Sequence, residues 1–148
     1  MPVKVRVFLD TSALFAGIWS AEGGARMILK LGEAGAVSLL VSSQVLSEIE
    51  GVLRRKAPDS LGLLAVLLDR SGVEVVSPPP PELIQQIEIL IGHPGDAVVL
   101  AAGWLAEVDY FVTLDRQYFL KNPAVQAATS FPMGTPGDFL AWYRAKVS

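Results

Sequence analysis

The stretch VRVFLDTSALFAG, residues 5–17, sets an apolar run directly against an acid, Asp10, and follows it with two hydroxyl residues, Thr11 and Ser12. Upstream of the acid, Val3, Val5 and Val7 alternate with Lys4 and Arg6 before Phe8 and Leu9 close the run. That period of two is the signature of a strand entering a sheet. Asp10 then stands at the strand's C-terminal edge, where a helix can begin. Taken singly, it reads equally well as a helix N-cap and as a functional group. The hydroxyl of Ser12 suits either role, closing a turn or orienting a water.

Working outward, the period changes. From Gly24 to Ala34 the spacing of Met27, Ile28 and Leu31 is helical, and Gly35 is a stop signal. VSLLV, residues 37–41, is a second strand. Ser42 or Ser43 caps a helix with Val45, Leu46, Ile49, Val52 and Leu53 on one face and Arg54, Arg55 and Lys56 at its C-terminal end, where cations suit the dipole. A further helix is expected from Ser60 to Asp69 and a short strand from Val73 to Val76, before the four prolines at 78–81 interrupt regular structure as a stiff loop. Helices are expected over 82–91 and 95–107, then the strand YFVT at 110–113, and finally a helix capped by Thr135 and carrying Phe139, Leu140 and Tyr143. Strands alternating with helices imply an α/β fold, a three-layer α/β/α sandwich around a mostly parallel sheet. Such sheets bind ligands beyond the carboxyl ends of their strands.

The chain has 148 residues, 51% hydrophobic and 18% charged, which suits one domain over 1–148 with a continuous core. The longest apolar stretch, near Ala97 to Ala106, is about half the length needed to cross a bilayer, so no membrane helix is expected. MPVKVRVFLD reaches an acid too early for a secretion signal. The absence of cysteine excludes disulfides and thiolate metal sites and fits a cytoplasmic location. A formal net charge of −3 argues mildly against a nucleic-acid partner, because such proteins usually carry a basic excess. Cations held by clustered acids would offset part of that balance.

Two acids follow strands and fall on the ligand edge: Asp10, and Asp115 after YFVTL. Asp109 precedes the same strand at its other end and reads as a turn residue. Asp96, in GHPGDAVVLAAG, occupies a first helical turn, where the dipole favours an anion. Glu48 and Glu50 border opposite sides of one apolar stripe, and periodicity does not choose between them. Carboxylates converging without basic partners repel one another, so their assembly implies cations between them. With no cysteine and one histidine, oxygen ligands point to Mg²⁺ or Mn²⁺ rather than zinc.

In order, FLDTSALFAG, VSSQVLSEIEGVLRR, GDAVVLAAG and VDYFVTLD resemble the motifs of the PIN-domain nucleases, many of them toxins of VapC-type toxin–antitoxin pairs. The closing MGTPGDFLAWY is similar as well, and the region from Ala57 to Ile91 carries no diagnostic residue. The resemblance selects Glu48 over Glu50 and implies a flavodoxin-like or Rossmann-like sandwich, cleavage of RNA phosphodiester bonds and frequent homodimers. It also implies the site: Asp10, Glu48, Asp96 and Asp115 catalytic, with Asp10, Asp96 and Asp115 holding Mg²⁺ or Mn²⁺ and Glu48 completing the shell. Ser12 and Thr113 would place a water or a phosphate oxygen, and Arg116 would contact the RNA backbone or form a surface ion pair. A cognate antitoxin protein is the implied partner. His93-Pro94-Gly95 departs from the pattern, since many members carry a further acid there.

Competing readings meet specific obstacles. A haloacid-dehalogenase-like phosphatase needs an acid at position 12, which is Ser12, and a response receiver needs a lysine after a later strand. A serine hydrolase would rest on His93 alone, read here as a loop imidazole, with no G-x-S-x-G elbow. A binding module that keeps the acids without turnover stays open. Trp19, Phe15 and Met27 are expected in the core rather than on a dimer surface.

Overall fold

The computed structural model describes residues 4–148; the Val3 end of the expected first strand lies outside them. Five parallel strands form one sheet in the order β3-β2-β1-β4-β5. In chain order, β1 (Val5–Leu9) leads to α1 (Thr11–Trp19), α2 (Gly24–Glu33) and β2 (Val37–Ser42). α3 (Ser43–Lys56), α4 (Leu61–Arg70) and β3 (Glu74–Val76) complete that half of the sheet. The chain then crosses back through α5 (Pro81–Ile91) and α6 (Pro94–Leu105) to β4 (Tyr110–Val112). A short π-helical segment (Arg116–Leu120), α7 (Pro123–Ala128), β5 (Met133–Gly134) and α8 (Pro136–Val147) follow.

Alternation along the strands explains why both faces are covered. Phe8 pairs in register with Phe111 and Leu40, so these three share a face, while Val7, Tyr110 and Leu39 share the other. Phe8 and Phe111 stack at 5.1 Å between ring centroids, and α6 lies against them so closely that a Cβ at Gly103 would meet the Phe111 ring at 3.1 Å. On the opposite face, Tyr110 meets Phe139 and Trp142 of α8, and α2 presses Gly32 onto Leu39. Three layers follow from two aromatic and aliphatic ridges pointing opposite ways.

The expected elements are present with ends differing by one or two residues, as fraying of terminal turns allows. Of the prolines at 78–81, Pro81 opens α5 at its first position, where its missing N–H costs nothing. α7 and β5 were not anticipated. β5 has two residues, too few for any period to register, whereas α7 does carry a start signal, Asn122 capping Val125 N at 3.2 Å ahead of Pro123. Among the described residues no helix is long and apolar enough to cross a membrane.

Gly32 allows a test of the packing. Glycine to alanine inside a helix ordinarily stabilises by up to about 1 kcal/mol. Here a Cβ would stand 2.5 Å from Leu39 Cδ1 and 2.8 Å from the Ser71 carbonyl oxygen, which is backbone and yields little. Gly32→Ala should therefore destabilise the protein by about 1–3 kcal/mol, read as a lowered urea midpoint at unchanged slope.

Candidate active site

β1 and β4 are neighbours whose onward connections leave in opposite directions, β1 towards β2 and β4 towards β5. This is the topological switch point, where an open parallel sheet leaves a crevice at its carboxyl edge. Asp10 follows β1 directly and caps α1, its Oδ1 accepting from the Ala13 N–H at 2.9 Å. It is only 4% exposed. Ser12 Oγ donates to Oδ1 at 2.7 Å, and the buried Thr113 hydroxyl donates to Oδ2.

The same two hydroxyls accept from the chain beyond β4. The Leu114 N–H donates to Ser12 Oγ at 2.9 Å, and the Asp115 N–H donates to Thr113 Oγ1 at 3.0 Å. Asp115 in turn caps the π-helical segment, Oδ1 accepting from the Tyr118 N–H at 3.0 Å. Ser12 and Thr113 thus direct their protons to Asp10 and hold that acid in place.

Asp96 enters from the first turn of α6, as its place after Pro94-Gly95 predicts. Its Oδ2 lies 3.2 Å from Nδ1 of His93, and the same nitrogen stands 3.3 Å from the Asp96 N–H. The imidazole also packs on Tyr118, 4.9 Å between centroids. His93 is therefore a neighbour of the site rather than a plain loop residue; the spacing to Asp96, cap to third helical position, was the available signal.

Asp10, Asp96 and Asp115 line one cavity of about 520 Å³, together with Thr11, Ser12 and apolar walls from Phe15, Ile49, Val52, Val99 and Leu114. No lysine or arginine lines it. Glu48 is not a wall residue but stands behind Thr11, whose hydroxyl donates to Oε2 at 2.6 Å, while Gln44 donates to Oε1 at 2.9 Å. Gln44 and Thr11 escaped the sequence reading, although Gln44 is one helical turn before Glu48. Glu50 faces elsewhere and pairs with Arg54 at 3.9 Å. Asp109 sits at the other end of the sheet, accepting from the Arg6 N–H at 2.8 Å. Arg116 is exposed, outside the cavity wall and without an ion-pair partner among the described residues.

The charges sense one another. Burial pushes the Asp10 carboxyl up to about 6, against the hydrogen bonds from Thr113, Ala13 and Ser12 that pull it down, and Asp115 adds to the rise. Burial also raises Asp96, the His93 charge opposes this, and Asp115 and Glu48 push it further up. Four acids from separate parts of the chain thus share one negative potential. Among the described residues no three acid or imidazole groups stand close enough to form a ready-made cage for an ion. Mg²⁺ does not require one, since it commonly binds through one or two carboxylates and keeps several waters.

The rise at Asp10 has a sign. The folded state holds this proton more tightly than the unfolded chain, so the contribution to stability is full below pH 3.8 and is lost as pH climbs through about 6. In chelator, Asp10→Asn should therefore melt several degrees above the parent at pH 8, a difference of roughly 3 kcal/mol at most, and the two curves should converge near pH 4.

Comparison with known proteins agrees with this layout. No curated protein matches the chain by sequence. Among solved structures it is similar to VapBC2 from Rickettsia felis bound to a promoter DNA fragment, with 14% identity and a TM-score of 0.68 over 88% of this chain and 98% of that one. DNA-bound VapBC from Salmonella typhimurium gives 18% identity and a TM-score of 0.67 over 89% and 98%. VapC20 of Mycobacterium tuberculosis, described as a sarcin-ricin loop cleaving toxin, gives 21% and 0.53 over 76% and 92%. At these identities the likeness establishes the fold. The sequence model of the PIN domain matches residues 6–117, which span β1 through the start of the π-helical segment and every acid of the cavity, and the chain belongs to the PIN domain family.

Proposed function

We propose that this protein is a metal-dependent endoribonuclease and the toxin of a toxin–antitoxin pair. The observation carrying the proposal is the one cavity that Asp10, Asp96 and Asp115, from three distant parts of the chain, line together with no lysine or arginine among its walls. Acids so placed raise each other's proton affinity, and a cation relieves that cost. Their oxygens suit Mg²⁺ or Mn²⁺. Such an ion, when bound, lowers the pKa of a coordinated water and stabilises charge developing on the phosphate.

The chain's own residues supply the rest. Asp10 is held by donors on both oxygens and cannot turn away. Asp115 is fixed by its cap to Tyr118, and Asp96 by its helix start and His93. Glu48, oriented by Thr11 and Gln44, deepens the negative potential at Asp96 and completes the outer shell. The apolar walls thin out competing water. Arg116, exposed and next to Asp115, is placed to meet a backbone phosphate outside the cavity. RNA as substrate and an antitoxin as partner are supported by family membership and by the descriptions of the structural neighbours.

Purified protein should cleave RNA in Mg²⁺ or Mn²⁺ and stop in chelator. Asp96→Asn should retain its melting transition and lose about 100-fold or more in rate; undiminished cleavage by that variant would remove the assigned site. Thr113→Val, which deprives Asp10 of one donor, should slow the same reaction by about 10- to 100-fold. Expression of the active chain should arrest growth, and co-expression of the adjacent reading frame should restore it; arrest that no neighbour relieves counts against the toxin assignment.

A further inference from the structure

α1 carries a second feature beyond its acidic end. Thr11, Phe15 and Trp19 recur every fourth residue and so climb one side of the helix, Thr11 and Phe15 lining the acid cavity. The rings of Phe15 and Trp19 stack, 5.5 Å between centroids and 12° from parallel. The expected burial of Trp19 does not occur: it is 63% exposed, and Met27 is 46% exposed. With one face of the indole against Phe15, most of the remainder is open to solvent.

The helix bearing this pair is fixed at both ends. Asp10 caps its start, and Arg26 donates from Nε to the Gly17 carbonyl at 2.6 Å and from Nη2 to the Ile18 carbonyl at 3.0 Å. The open indole is therefore held on a rigid rod, about 12 Å along the axis from Thr11 at the acid cavity.

The cavity has no cation of its own to attract a polyanion, and the chain's formal net charge is −3. An uncharged contact would add to what a bound cation and the exposed Arg116 hold of a nucleic-acid strand. An exposed indole backed by a second ring is such a contact, because every base has a π-face to lay on it. Bases in a duplex are already stacked on their neighbours, so the surface favours unpaired nucleotides.

We propose that Phe15 and Trp19 form a stacking platform for an unpaired base of a single-stranded nucleic acid whose phosphate enters the acid cavity. The proposal rests on the nuclease reading above. It makes Trp19 a residue that selects substrate by strandedness.

The test measures equilibrium binding of a short fluorescent single-stranded RNA, and of the same RNA annealed to its complement, to Asp96→Asn protein in Mg²⁺. Trp19→Ala in that background should weaken single-strand binding by about 5- to 100-fold, and Trp19→Phe should recover most of it. Duplex should bind more weakly than single strand. Because Trp19 is exposed, the variants should melt with the parent, which circular dichroism checks. If Trp19→Ala binds and cleaves single strands as well as its parent, the platform is overturned while the nuclease assignment stands. If Trp19→Ala instead loses only self-association or retention of a protein partner, the aromatic pair is a protein contact and the proposal is again overturned. If the unsubstituted protein neither cleaves RNA nor binds a single strand, both readings fall together.

Discussion

The structure turns on one buried carboxylate. A carboxylate removed from water must recover its hydrogen bonds or give up its charge. Asp10 recovers three, one from the helix it begins and two from hydroxyls that also accept from the chain leaving β4. It is thus the joint at which β1, α1 and the Thr113–Asp115 segment are fastened. Even so, its proton affinity stays high, because burial and Asp115 outweigh those donors. A fold seeking only stability would place an uncharged group at this joint, and the strain of keeping an acid there is itself a mark of a functional position.

The remaining acids reach the cavity by different physical routes. Asp115 is delivered by the strand beside β1, Asp96 by the first turn of α6, and Glu48 through a hydrogen bond rather than direct exposure to the cavity. α6 seats closely on Phe8 and Phe111, where a Cβ at position 103 would crowd the Phe111 ring at 3.1 Å.

Much of this was legible in the residues. Alternation over Val5–Val7 and the seven-residue spacing of Val45 and Val52 mark a strand and a helix, because side-chain period and backbone geometry are tied. Asp10 and Asp115 could be placed on the ligand edge because both follow apolar strand runs. What could not be read was anything decided by contact between distant segments. Glu48 and Glu50 are equivalent on a helical wheel, and it is the hydroxyl of Thr11, 37 residues earlier, that ties Glu48 to the site. Ser12 and Thr113 show hydroxyls in the sequence but not the direction of their protons. Hydrophobicity predicts burial only statistically, and Trp19, the last residue of α1, is an exposed exception.

The outermost strands carry their own implication. β3 and β5 span three and two residues, so the sheet's flanks expose little unpaired backbone for another chain to zip onto. Strand addition, by which an extended segment joins an exposed sheet edge, finds little to pair with at either margin. Recognition of this protein then leans on the identity of its exposed side chains more than on main-chain pairing.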